Sequence, residues 1–136
     1  MRVFLDSSVL LAAAGSDQGA SRYVILNQRR ARMHLITADY CIKEVEFNLA
    51  KLGPSSSQVW YTQIKPRLKI VPVRLSLTKI LIYPRAKDRP VIITALGVRA
   101  CCLLTLDKSD FKGLLGENIY GMWILSPAQF LNSKLI

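Results

Sequence analysis

The sequence predicts an α/β protein built on a parallel sheet of about five strands. Three observations lead there. Short apolar runs of β-type residues alternate with helical segments along the whole chain, the pattern of β–α–β units. The length, 136 residues, suits a single domain over 1–136. The composition, 51% hydrophobic and 21% charged, offers enough apolar surface to offset the entropy of ordering, which excludes a disordered chain.

Val3-Phe4-Leu5 reads as the first strand, ending at Asp6. Ser7-Ser8 then cap a short helix, Val9 to Ala14, stopped by Gly15. Ser16 and Asp17 are candidate caps for a second helix with Ala20, Val24 and Leu26 in its core face, closing on the basic cluster Arg29, Arg30, Arg32. His34 to Thr37 is the second strand. Thr37 or Asp39 caps a helix through Leu52, ended by Gly53-Pro54. Ser55 to Ser57 begin a further helix through Ile64. Leu68 to Val73 is the third strand, and Ser76 to Ile82 a short helix. Asp88 caps a helix with Pro90 in its first turn, running to about Arg99. Cys102 to Thr105 is the fourth strand and Met122 to Leu125 the fifth. Ser126-Pro127 opens the closing helix by the same cap-then-proline rule.

Nineteen Lys and Arg against nine Asp and Glu give a net charge of +10. Such an excess repels itself and favours a polyanionic partner, the alternative being a basic but inert surface. Between Phe47 and Lys87 there are eight Lys or Arg and no acid. Lys65, Arg67 and Lys69 cluster near the third strand; Arg85, Lys87 and Arg89 flank Asp88. All six are candidate phosphate contacts, which give affinity without base specificity. Trp60, Tyr61 and Tyr83 either stack on single-stranded bases or pack internally.

Membrane insertion is not expected: the longest apolar run, Val9 to Ala14, falls far short of the roughly 18 residues of a span. Asp6 and Ser7-Ser8 break the outline of a signal peptide. Cys41, Cys101 and Cys102 form neither a disulfide framework nor a zinc pattern, and read as small hydrophobes in a reducing cytoplasm.

In an acid-poor chain the positions of the acids matter. Asp6 follows strand one, and Asp107 and Asp110 follow strand four, so they fall at the C-terminal edge of a parallel sheet, where ligands bind. Asp88 and Glu44 join them if their helices pack alongside. Gathered carboxylates need a cation, and oxygen-only ligands suit Mg²⁺ or Mn²⁺. The single histidine, His34, supplies neither a histidine metal site nor a Ser-His-Asp triad. Each acid also has a plainer role: Asp6 and Asp88 as helix caps, Asp107 and Asp110 as loop residues, Glu44 and Glu46 as solvated helix positions.

Leu5-Asp6-Ser7-Ser8-Val9-Leu10, Lys87-Asp88-Arg89-Pro90 leading into Thr94-Ala95-Leu96, and Leu103 to Phe111 resemble the three spaced motifs of the PIN-domain family. Glu44 resembles that family's helix-borne glutamate, and Leu125 to Leu131 is similar to its closing segment; the likeness spans essentially the whole chain. The resemblance implies a three-layer α/β/α sandwich and a metal-dependent ribonuclease. Asp6, Glu44, Asp88 and Asp107 match the acidic core, with Asp110 as an additional metal-site acid. Ser8 matches a small polar position where many members carry Asn or Asp. Thr105 is a candidate supporting hydroxyl. Many members are toxins inhibited by a small antitoxin protein. RNA is the expected substrate; an antitoxin and a second copy of the chain are further expected partners.

Glu46 rivals Glu44, but two residues apart on a helix they point about 200° apart, so only one faces the crevice. Phosphodiester hydrolysis needs an activated water and stabilised charge, which one or two Mg²⁺ ions provide without a histidine. The rival reading is a non-catalytic RNA-binding or protein-interaction module on the same fold. A Rossmann nucleotide-binding protein is disfavoured because Asp6-Ser7-Ser8 stands where its Gly-rich turn belongs.

Overall fold

A computed structural model of the chain describes residues 1–74 and 90–135. Its centre is a six-stranded sheet: β1 (Arg2–Leu5), β2 (His34–Ala38), β3 (Leu68–Val71), β4 (Cys102–Leu104), β5 (Asn118–Ile119) and β6 (Met122–Leu125). The spatial order is β3-β2-β1-β4-β6-β5, and every pairing is parallel except β5 with β6. From β1 the chain steps outward to β2 and β3, then returns to the other side of β1 as β4. The order therefore reverses between β1 and β4, the position where open α/β sheets leave a crevice beyond their strand ends.

The pleat divides the core. Val3 and Leu5 of β1, Leu35 of β2 and Cys102 and Leu104 of β4 face one apolar cluster. Phe4, Ile36 and Leu103 face another. The first cluster is completed by Val9 and Leu10 of α1 (Ser7–Gly15), Val24 and Ile25 of α2 (Ala20–Leu26), Val45 of α3 (Asp39–Asn48) and Phe130. A 3₁₀ turn, Leu49–Lys51, continues α3. It leads to α4 (Pro54–Val59), which widens into the π turn Trp60–Ile64 and ends in a 3₁₀ turn, Lys65–Arg67. Pro66 lacks the N–H that a continuing helix needs. On the other face, Val91, Ile92 and Ala95 of α5 (Pro90–Gly97) cover Phe4 and Leu103. A parallel sheet covered on both faces reads as near-continuous apolar runs, which is why its strands are so plain in the sequence. The closing helix α6 (Pro127–Leu131) starts with a capping box: Ser126 Oγ accepts from Gln129 N at 3.1 Å, and Ser126 N donates to Gln129 Oε1 at 2.9 Å.

Some expectations need correction. The sheet has six strands rather than about five. The extra strand, β5, is two residues long and hairpins onto β6 through Tyr120 and Gly121, both at positive φ (54° and 89°). That is the signature of the primed turns that suit strand twist, and Gly121 N is held by Asn118 Oδ1 at 3.0 Å. Helix α2 begins after Gly19, not after Ser16 or Asp17, and Leu26 is exposed. Neither Thr37 nor Asp39 caps α3. Thr37 Oγ1 donates to Leu5 O at 2.8 Å, and Asp39 Oδ1 accepts from Tyr40 N and Val73 N, so both tie neighbouring strand ends together. Trp60 is fully buried and unavailable for stacking, whereas Tyr61 is exposed. The expected helix over 76–82 lies outside the described residues.

Leu103 sits fully buried in the centre of β4 against α5. Truncation to Ala removes its transfer free energy and leaves a cavity that a close-packed sheet fills poorly. Leu103→Ala is expected to lose about 2–5 kcal/mol in urea unfolding. A loss below about 1 kcal/mol would mean this face is loosely packed.

Candidate functional site

The strand-end expectation centres on Asp6. Its backbone N donates to Leu104 O at 3.0 Å and so joins the end of β1 to the end of β4. Asp6 stands at the N-cap position of α1, yet its side chain makes no capping bond. Instead Oδ2 accepts from Ser8 Oγ at 2.9 Å and from Thr105 Oγ1 at 2.8 Å. Each hydroxyl spends its one proton on Asp6 and accepts a loop amide in return: Leu106 N to Ser8 Oγ at 3.0 Å, Asp107 N to Thr105 Oγ1 at 3.1 Å. The carboxylate is only 6% exposed. Burial is the largest influence on it and raises its pKa above 3.8, against the pull of the Thr105 and Ser8 hydroxyls and the Ser7 backbone; the charge of Glu44 adds to the rise.

Glu44, on the exposed side of α3, reaches the same region. Its Oε2 accepts from Ser7 Oγ at 2.8 Å, linking α3 to the first turn of α1. A cavity of about 90 Å³ lies there between Ser7, Ser8, Leu11, Glu44, Val45 and Asn48. Tyr40 and Cys41 border the two carboxylates. Burial, then the hydrogen bond and charge of Glu44, hold the Tyr40 hydroxyl well above its usual pKa. Burial, then the charge of Asp6, pushes the Cys41 thiol up to about 12.

Glu46 turns elsewhere. It accepts from Trp60 Nε1 at 3.0 Å and pairs with Lys65 at 2.8 Å. Burial opposes its ionisation, but the Lys65 and Trp60 donors bring its pKa below the ordinary value. Asp107 joins the Asp6 network through its backbone N, while its Oδ1 accepts from Asp110 N at 2.8 Å and closes the loop after β4. Asp110 is exposed. Asp88, Arg85, Lys87 and Arg89 lie outside the described residues, as does Tyr83. Among the described residues, no three His, Cys, Asp or Glu side chains gather closely enough to hold a metal ion. The structure thus brings Asp6 and Glu44 within electrostatic reach and places Asp107 and Asp110 on the adjoining loop. Lys65 is engaged by Glu46 and lies 5.4 Å from the Tyr61 ring centroid, Arg67 Nη1 donates to Gln63 O at 2.8 Å, and Lys69 is exposed on β3. Lys65 and Arg67 precede β3 and so sit at the sheet end opposite Asp6.

The donors present suit a hard cation. Two carboxylates approach one another, and the buried one is oriented by two hydroxyls, the outer-shell arrangement that positions metal-ligating carboxylates. Sequence alone gives Ser7 only a capping role and Tyr40 none. Tyr40 precedes Glu44 by four residues in α3, and that spacing sets both on one helix face, a signal available from the sequence.

Two tests follow from the Asp6 network. Thr105→Val keeps the shape of a fully buried residue but removes the hydroxyl, leaving Asp107 N without its partner. It is expected to cost about 1–3 kcal/mol in chemical unfolding. The second test uses pH. Asp6's folded pKa lies above 3.8, so the folded state binds the extra proton between the two values. Asp6's own contribution to stability is full below 3.8 and is lost as pH rises through the raised folded value. Asp6→Asn escapes that loss. In EDTA at neutral pH its Tm is expected to exceed that of the unsubstituted protein, and the gap should close in acid. A lower Tm for Asp6→Asn at neutral pH would contradict the assignment of burial as the dominant influence.

No family model and no curated protein matches this chain.

Proposed function

We propose that the chain is an endoribonuclease that hydrolyses phosphodiester bonds of single-stranded RNA with Mg²⁺ or Mn²⁺, on a PIN-like three-layer α/β/α fold. The single observation that carries this reading is Asp6. It is a buried carboxylate at the point where strand order reverses, and it serves no helix cap, being held by two hydroxyls with Glu44 nearby. The motif resemblance to the PIN family supplies the reaction class and suggests a toxin restrained by an antitoxin as the setting.

Asp6 and Glu44, with Asp88 and Asp107, would hold the cation directly or through water, and Asp110 would complete the surrounding shell. Bound there, the cation would supply an activated water and neutralise charge on the phosphate. Ser8 and Thr105 fix the direction of the Asp6 carboxylate, because both present donors only to Oδ2. Ser7 does the same for Glu44. The net charge of +10 draws the RNA, and the carboxylates repel it unless a cation intervenes, which makes the chemistry metal-dependent.

The test is incubation of purified protein with labelled single-stranded RNA in Mn²⁺, in Mg²⁺ and in EDTA. Cleavage is expected with either metal and not in EDTA. Asp6→Asn should abolish it, and Ser8→Ala should lower it about 10–100-fold, the usual cost of losing an outer-shell partner. Full-rate cleavage by Asp6→Asn would sink the mechanism. RNA binding with no cleavage in either metal would replace it with the non-catalytic RNA-binding module.

A further inference from the structure

At the opposite end of the sheet from Asp6 lies a cavity of about 630 Å³ lined in part by Arg67, already a candidate phosphate contact, and otherwise by residues without an assigned role. Arg29 and Arg32 enter it from the turn after α2, His34 from the first residue of β2, and Arg67 from the turn before β3. No acid lines it. Among the described residues, none of these three arginines has a carboxylate within ion-pairing reach, although Lys65, two residues from Arg67, does. The walls are pinned: Gln28 Nε2 donates to Arg67 O at 3.2 Å, and Arg67 spends one of its donors on Gln63 O. Arg32 is held at φ 54°, a left-handed conformation that costs an L residue energy and favours Gly or Asn. A second cavity, of about 350 Å³, is also cationic, with Arg2, Lys69 and Arg99 in its lining; Arg99 too is left-handed, at φ 57°.

Three guanidiniums in one concavity repel each other and carry fixed forks of N–H donors suited to phosphate. We propose that this cavity binds backbone phosphates of the RNA strand at a distance from the carboxylates, as an anchoring site separate from the site of cleavage. The identity of the polyanion rests on the nuclease reading; the cationic site itself does not. The five residues of β2 span about 16 Å, so the anchor and Asp6 stand roughly one strand length apart. An anchor at that distance supplies affinity where the carboxylates cannot neutralise it.

The test measures binding of poly(U) in EDTA, where no metal-dependent cleavage occurs, at a series of salt concentrations. The unsubstituted protein is compared with Arg29→Gln/Arg32→Gln/Arg67→Gln. The slope of log K against log salt should fall by about 2 units, three contacts at about 0.7 each. Thermal unfolding checks the fold of the variant; should it be unfolded, the exposed-loop pair Arg29→Gln/Arg32→Gln is used, with an expected fall of about 1.4 units. An unchanged slope, or no binding of poly(U) by the unsubstituted protein, overturns the anchor. Competition with inorganic pyrophosphate provides the other arm. Arginine-dependent binding of pyrophosphate with arginine-independent binding of poly(U) makes this a small-phosphate site and overturns the RNA assignment. A reduced slope together with absent cleavage in Mn²⁺ leaves the anchor standing and removes only the nuclease.

Discussion

The arrangement at the sheet's C-terminal edge depends on the burial of one carboxylate. Asp6 ends the central strand β1 and cannot leave the protein interior without breaking the backbone bond from its own N to Leu104 O. A buried carboxylate is costly unless it is paired and hydrogen-bonded. The chain answers with hydroxyls: Ser8, in the first turn of α1, and Thr105, directly after β4. Because each hydroxyl also accepts an amide of the loop after β4, satisfying Asp6 sets the course of Leu106 and Asp107. One carboxylate thereby fastens the exits of the two strands between which the order reverses. A fold concerned only with stability gains nothing from that carboxylate, since an apolar residue at the end of a central strand needs no such support.

Charge is segregated along the same strands. Asp6, Asp107 and Asp110 follow the C-terminal ends of β1 and β4, while Arg29, Arg32 and Arg67 gather at the N-terminal ends of β2 and β3. Lys65 and Glu46 show what contact between the two sets does: they meet at 2.8 Å, and the glutamate's pKa falls. Such a pair offers neither charge to a ligand. Separation by the length of a strand keeps Arg29, Arg32 and Arg67 out of ion-pairing reach of Asp6.

Much of this is legible in the sequence. Apolar runs that stop at a polar residue located β1, β2, β4 and β6, and the Ser126-Pro127 start of α6 is written in its capping residues. Asp6 was legible as a strand-end acid, and the 200° offset separated Glu44 from Glu46 as alternatives. What stayed hidden depends on contacts distant in sequence or on turn geometry. β5 offers only two residues, and its turn uses Tyr120 where the common signal is Asn or Gly. Internal packing of Trp60 was one of the two roles open in the sequence, but the π turn that carries it is announced by no spacing rule. The direction of the Asp107 side chain is set by a bond to Asp110 N within the loop, and loop spacing alone does not specify it.

The bonding of the two carboxylates points past the protein itself. Asp6 is met by the Ser8 and Thr105 hydroxyls, and Glu44 by the Ser7 hydroxyl. Every one of these partners is neutral; at Asp6 the hydroxyls favour the anion, but burial outweighs them and raises the pKa. Among the described residues no Lys or Arg lies within ion-pairing reach of either, in a chain with 19 of them. The same helix shows that a cation was within the chain's means, because Glu46 has Lys65. Among the described residues, two carboxylates oriented by neutral donors thus stand without a cation beside them, and under the proposed function a divalent ion would supply that charge.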